Sequence, residues 1–274
     1  MKYLTQIIHT VIRLFMTVVG KNGKKSQTKS GPPKDSDTPE LIPDGSPETM
    51  SPESDIKVSA DPTSVYHYLI DNGHGGWLVD DDHPDGYYPT AGKRSPKDPE
   101  TGETLIYEGV NNRINSMMIV DELRRMRISS QLLVPEEEDI SLSQRVKRAN
   151  DLHREKKCIL ISVHSNASGN GKEWGKAKGI SLHISENRSK TTDTLVEIMG
   201  EQFEEDFKNV TRWRGIKFNN FFITKRSNSP AILLEIGFHD NLEEARKMLT
   251  DEWRILLVKS VTHAIITFED SHLK

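Results

Sequence analysis

Two rhythms of apolar residues alternate along most of this chain. Residues 66–70, residues 158–163 and Ala231–Phe238 are short, nearly continuous apolar runs of the kind found in strands covered on both faces. Ile180, Leu182 and Ile184 alternate with polar neighbours instead, which predicts a strand with one wetter side. Between the runs the period lengthens. A helical segment is expected from Glu108 to about Met126, and Ser141-Leu142-Ser143-Gln144 offers a capping box for a helix reaching Arg154. Leu195, Met199, Phe203 and Phe207 recur every fourth residue, and Leu257, Val261, Ala264 and Phe268 mark a last helix. Strands alternating with helices predict one α/β domain, a twisted, mainly parallel or mixed sheet covered by helices on both faces.

The first sixty residues behave differently. Leu4, Ile7, Ile8, Val11, Ile12, Phe15, Val18 and Val19 fall at helical spacing, with Thr5, Gln6, His9, Thr10, Arg13 and Thr17 opposite. Residues 1–20 therefore read as an amphipathic helix. It is barely long enough to span a bilayer and carries His9 and Arg13, so a peripheral membrane contact competes with a signal anchor or a docking helix. Residues 21–62 are rich in Lys, Ser, Pro, Asp, Gly and Glu and nearly free of large apolar side chains, as in a flexible linker. The folded domain is expected from residue 63 to 274. Its length suits a single core, which commonly stops growing at about 250–300 residues.

Charge and cysteine content narrow the chemistry. A formal net charge of -4 gives no general reason to bind nucleic acid. The short cluster Arg154-Glu155-Lys156-Lys157 reads as a solvated helix end. With Cys158 as the sole cysteine, neither an internal disulfide nor a cysteine-based zinc site can form, and that thiol, opening an apolar run, reads as a small buried hydrophobe. Any metal must rest on histidine and carboxylate.

Two histidines then stand out, His74 in Asp71-Asn72-Gly73-His74-Gly75-Gly76 and His164 in Ser162-Val163-His164-Ser165-Asn166-Ala167, each closing an apolar strand. Residues just past the carboxyl ends of parallel strands converge on one crevice, where two imidazoles can share a metal ion. Glu235, between Leu234 and Ile236, is a third anomaly, because an ionised carboxylate inside a strand is costly unless paired or near a metal. Its alternative is a buried salt bridge. A catalytic zinc usually keeps three protein ligands, so one more donor is needed. Glu108 is a candidate, in competition with Asp71, Glu103 and other acidic loop residues.

Asp71-Asn72-Gly73-His74-Gly75-Gly76, Tyr107-Glu108, Ser162 to Ala167 and Leu234-Glu235-Ile236-Gly237-Phe238 resemble, in order, the four signature blocks of the zinc-dependent N-acetylmuramoyl-L-alanine amidases of the type-3 family. Gly179 to His183 and Ser229 to Leu234 extend the likeness, which covers nearly the whole folded portion. The resemblance implies His74, Glu108 and His164 as zinc ligands and Glu235 as the catalytic acid/base. It also implies bacterial peptidoglycan as partner, a place in the cell envelope, and cleavage between N-acetylmuramic acid and the L-alanine of the stem peptide. Residues 77–106 are longer and more polar than the family's usual connector and contain Gly92-Lys93-Arg94-Ser95-Pro96, either a groove lining or an ordinary surface loop. Arg94, Asn166, Gly75 and Gly76 are taken as substrate-binding candidates, the glycines through backbone donors, and His239 as a surface residue or a support to the ligands. A monomer is expected. Rival readings are a zinc endopeptidase of the same polymer and a wall-binding module without activity, though no His-Glu-x-x-His helix is present.

Overall fold

The computed structural model describes residues 63–272. The expectations for residues 1–20 and 21–62 lie outside the described residues. In chain order the elements are β1 (His67–Asn72), α1 (Glu108–Arg125), β2 (Ser130–Leu132), α2 (Leu142–Glu155), β3 (Cys158–Asn166) and β4 (Ile180–Ile184). They continue with α3 (Lys190–Phe207), β5 (Trp213–Phe218), α4 (Phe222–Arg226), β6 (Ala231–Phe238), α5 (Leu242–Met248) and α6 (Asp251–His272).

The strands form a six-stranded sheet in the order β2-β1-β3-β6-β4-β5. Every pairing is parallel except that of β4 with β6. The central place of β3, between β1 and β6, follows from its unbroken apolar run, which needs cover on both faces. Ile159, Ile161 and Val163 join Ile232, Leu234 and Ile236 under α1, α3 and α6, whose Leu123, Phe203 and Leu257 are wholly buried. Leu160 and Leu233 pack on the opposite face with Val146 and Ala149 of α2 and Ile223 of α4. Helices thus cover both faces, as the alternation predicted. Cys158 is buried in this second layer and its thiol donates to the Lys156 carbonyl, which agrees with a packing role.

Local signals hold in detail at α2 and fail in β4. Ser141 caps α2 by accepting the Gln144 backbone N–H at 3.4 Å. Gln144 takes the Ser141 hydroxyl instead of the Ser141 backbone N–H, so half of the capping box forms. The wetter side expected for β4 does not exist: Ser181 and His183 are 1% and 4% exposed. They satisfy each other at 2.9 Å, and His183 Nδ1 meets the Asn219 side chain at 2.7 Å. Burial, reinforced by Lys217 and Arg214, pushes the His183 imidazole down to about 4, so it sits neutral in the sheet.

Candidate metal centre

The chain leaves β1 at Asn72 and turns at once. Gly73 is required there because a Cβ would overlap the His164 imidazole. His74 follows with a positive φ of 68°, a left-handed conformation that a non-glycine residue adopts at a cost and that its surroundings must hold. Arg145 of α2 supplies much of that hold. Its guanidinium donates to Asp71 Oδ1 and the Asn72 carbonyl, both at 2.7 Å, and to the His74 carbonyl at 3.2 Å. Asn112 of α1 donates its amide to the Gly73 carbonyl at 3.1 Å. Asp71 is therefore a structural anion, paired with Arg145 and accepting the Ser162 hydroxyl, and leaves the contest for the third metal donor. Glu103 is exposed on the surface.

Glu108 is the acid that stands beside both histidines. It is the first residue of α1, where the helix dipole favours a carboxylate, and it is 1% exposed. His74 Nε2 lies 3.4 Å and His164 Nδ1 3.1 Å from Glu108 Oε1, and the Ser165 backbone N–H adds a hydrogen bond at 3.3 Å. The two imidazoles meet edge to face, with ring centroids 5.1 Å apart. One donor atom from each of His74, Glu108 and His164 falls within 4.8 Å of the others. Burial alone would raise the Glu108 carboxyl, but hydrogen bonds from His164 and His74 outweigh it and hold the group well below the usual range. His164 extends β3 beyond its predicted end: the strand runs to Asn166, its polar Ser162 paired with Asp71 of β1 and the Ser165 N–H with Glu108 of α1.

Glu235 sits on β6 directly opposite His164 in the parallel register. The salt-bridge alternative fails, since Glu235 Oε2 is buried with no hydrogen-bond partner and the residue pairs with no Arg or Lys among the described residues. Burial pushes its carboxyl up to about 7, with His164 pulling down and Glu108 pushing further up.

The remaining candidates find partners within the chain. Asn166 ends β3 and accepts the Ala167 N–H at 2.8 Å through its side-chain oxygen. The Gly75 and Gly76 amides are already engaged, by Thr90 Oγ1 at 3.4 Å and the Glu137 carbonyl at 2.7 Å, so they are not free donors. Arg94 is exposed and its backbone bridges Tyr107. His239 is not at the surface. It is buried, and its Nδ1 lies 3.0 Å from Ser165 Oγ, beside the residue that follows His164. Lys93, which sequence reasoning passed over for its neighbour, brings Nζ to 3.9 Å from Glu108 Oε2. Arg145 was also missed, since one arginine in an amphipathic helix gives no sign of being buried.

A sequence profile of N-acetylmuramoyl-L-alanine amidases matches residues 69–267. The chain belongs to this family. Among solved amidases, that of Clostridium difficile 630 superposes with a TM-score of 0.60 at 25% identity, covering 76% of this chain and 99% of that one. The amidase CwlM of Bacillus licheniformis is 31% identical over 114 residues, 41% of this chain and 40% of that protein. An uncharacterized cell wall amidase of Bacillus anthracis is 26% identical over 133 residues, 47% of this chain and 24% of that protein. The chain thus spans less than half the length of these two curated relatives. No helix among the described residues is long and apolar enough to cross a membrane.

Proposed function

We propose that this chain is a peptidoglycan hydrolase that cleaves the amide between the lactyl group of N-acetylmuramic acid and the L-alanine of the stem peptide, with zinc held by His74, Glu108 and His164. The observation that carries this reading is the convergence of those three donors within 4.8 Å beside Glu235, whose buried Oε2 has no hydrogen-bond partner. The donor set fits the ion: two imidazoles and one carboxylate are the hard and borderline ligands a hydrolytic zinc takes, and Glu108 Oε2 is buried without a hydrogen-bond partner. Zinc in such a site polarises a carbonyl and makes water a nucleophile near neutral pH.

The chain's own residues do the rest. With its carboxyl poised at about 7, Glu235 is part ionised at neutral pH. It takes a proton from the attacking water as the new C–O bond forms, and delivers it to the alanine nitrogen as the C–N bond breaks, leaving a carboxylate and an amine. Arg145 and Asn112 keep the His74 loop from relaxing out of reach. Asn166 and Arg94 are assigned to the substrate groove around these groups. Gly75 and Gly76 serve it by letting other segments approach closely, a Cβ on either being blocked by Asp139 or Glu137.

Digestion of purified sacculi, with and without a chelator, tests the reaction. New L-alanine amino termini with intact glycans, abolished by the chelator and restored by zinc, are expected. New termini inside the peptides would mean an endopeptidase, and sacculus binding without turnover a wall-binding module.

The same reading takes residues 63–274 as the amidase domain of a monomer in the bacterial envelope, joined by a linker to a peripheral membrane contact at residues 1–20. Liposome flotation should separate the full chain from one beginning at Ser59; equal flotation overturns the membrane contact.

A further inference from the structure

A half-exposed cation stands at the edge of the buried carboxylates. Lys93 Nζ lies 3.9 Å from Glu108 Oε2, with the lysine side chain 48% and the glutamate 2% exposed. The placement is built into the backbone. The Lys93 carbonyl accepts the Glu108 N–H at 2.9 Å, and two residues on the Ser95 N–H donates to the Ile106 carbonyl at 2.8 Å. The Ser95 hydroxyl oxygen accepts from the Leu105 and Ile106 backbone N–H groups at 3.0 and 3.1 Å. The segment is therefore stitched to the residues leading into α1, and the main chain at position 93 is fixed relative to Glu108. Its ammonium is not consumed by that neighbour, since an ion pair at 3.9 Å with one partner half in water is weak. Lys93 is the one lysine or arginine among the described residues in ion-pair reach of Glu108, and the one whose charge bears on Glu235.

The proposed substrate gives this cation a purpose. On the glycan side of the scissile amide the sugar offers hydroxyl and acetamido groups but no charge. On the amine side, the residue following alanine presents an α-carboxylate that is either free or amidated. The half-exposed Lys93 ammonium offers a free carboxylate a Coulombic partner that it does not offer to a neutral carboxamide. A lysine suits this task, being a point charge on a flexible stem.

We propose that Lys93 is a specificity-determining residue whose ammonium binds the free carboxylate on the stem-peptide residue next to the alanine. The inference rests on the activity proposed above. Two N-acetylmuramoyl dipeptides, identical except for a free carboxylate or a carboxamide at that position, test it with the full zinc-loaded chain. The wild type should favour the carboxylate through KM. Lys93→Gln should raise KM for the carboxylate substrate about tenfold, as expected for loss of about 1.4 kcal/mol of binding, with kcat and zinc content unchanged and the preference erased. Lys93→Arg should restore most of it. An unchanged KM, an equal loss on both substrates, or a loss of zinc in Lys93→Gln overturns the proposal. Equilibrium binding of the two ligands to the Glu235→Gln chain makes the same comparison without turnover. If the wild type cleaves neither ligand, the proposed activity fails, while equal Kd values for the two ligands would overturn the role of Lys93 separately.

Discussion

Arg145 reaches from α2 to Asp71 in β1, placing Nη1 2.7 Å from Oδ1, with both side chains at most 2% exposed. The same guanidinium binds the carbonyls of Asn72 and His74, so one buried cation ties the end of a strand to the His74 backbone. Removing one member of such a pair leaves an uncompensated charge indoors. Arg145→Gln should therefore lower stability by about 3–5 kcal/mol, read from urea denaturation, and should weaken zinc binding as the His74 loop relaxes. Asp71→Asn/Arg145→Gln should be less damaging than the two single changes added together; strict additivity would mean the pair is not coupled.

A change at Glu235 is expected to separate metal binding from turnover. Glu235→Gln keeps the shape of the site and should retain zinc while losing on the order of 10²–10⁴ in rate. His74→Ala and His164→Ala should lose zinc and activity together. Metal analysis of each purified variant alongside stem-peptide release from sacculi checks the contrast, and an active Glu235→Gln enzyme would remove the acid/base assignment.

Gly73 is a steric requirement that can be tested without touching a ligand. Gly73→Ala places a methyl group where the His164 ring lies, so the ring must shift from its present place. Zinc affinity, measured by competition with a chelator, should fall about 10–100-fold, the usual effect of disturbing a ligand's support. Circular dichroism should show the fold retained. Unchanged affinity would mean that the imidazole has room to spare.

His183 gives the domain an acid sensitivity with a definite sign. Its imidazole titrates at about 4 in the fold, against an ordinary value of 6.5, chiefly because it is buried. The unfolded chain therefore binds more protons between those values. This contribution to stability is full above about pH 6.5 and is lost as the pH falls towards 4, amounting to roughly 3 kcal/mol at the limit. Denaturation of wild type and His183→Gln between pH 7.5 and 4.5 isolates it: the wild type should lose more stability on acidification than the variant, and parallel curves would refute the assignment.

The elements most legible in the sequence were those with an uninterrupted pattern. Ala231–Phe238 forms a strand over its predicted length, and Leu195, Met199, Phe203 and Phe207 are all buried on one face of α3. The ends of β1 and β3 were less legible, because Asp71, Asn72, Ser162 and Ser165 look like strand terminators but are buried with partners, Asp71 and Ser162 with each other, Asn72 with Arg145 and Ser165 with His239. Ser181 and His183 misled in the same way. The short edge strand β2 and the mixed-polarity β5 left no pattern to read. Among the site residues, His74, His164 and Glu235 were visible as polar groups in apolar surroundings. Glu108 was one acid among several, distinguished by family resemblance and then by its place at the head of α1. Lys93 left no pattern to read, because its 3.9 Å approach to Glu108 Oε2 depends on the pairing of residues 93–95 with residues 105–108, which are distant in sequence.

The single antiparallel pairing in the sheet has an engineering consequence. Ser181 lies opposite Glu235 and His183 opposite Leu233, so β4, and β5 alongside it, run away from the His164 and Glu235 end of the sheet. The connections leaving Ile184 and Phe218 emerge on the far rim. Extra modules or affinity tags grafted there would leave the end of the sheet that carries His164 and Glu235 unobstructed.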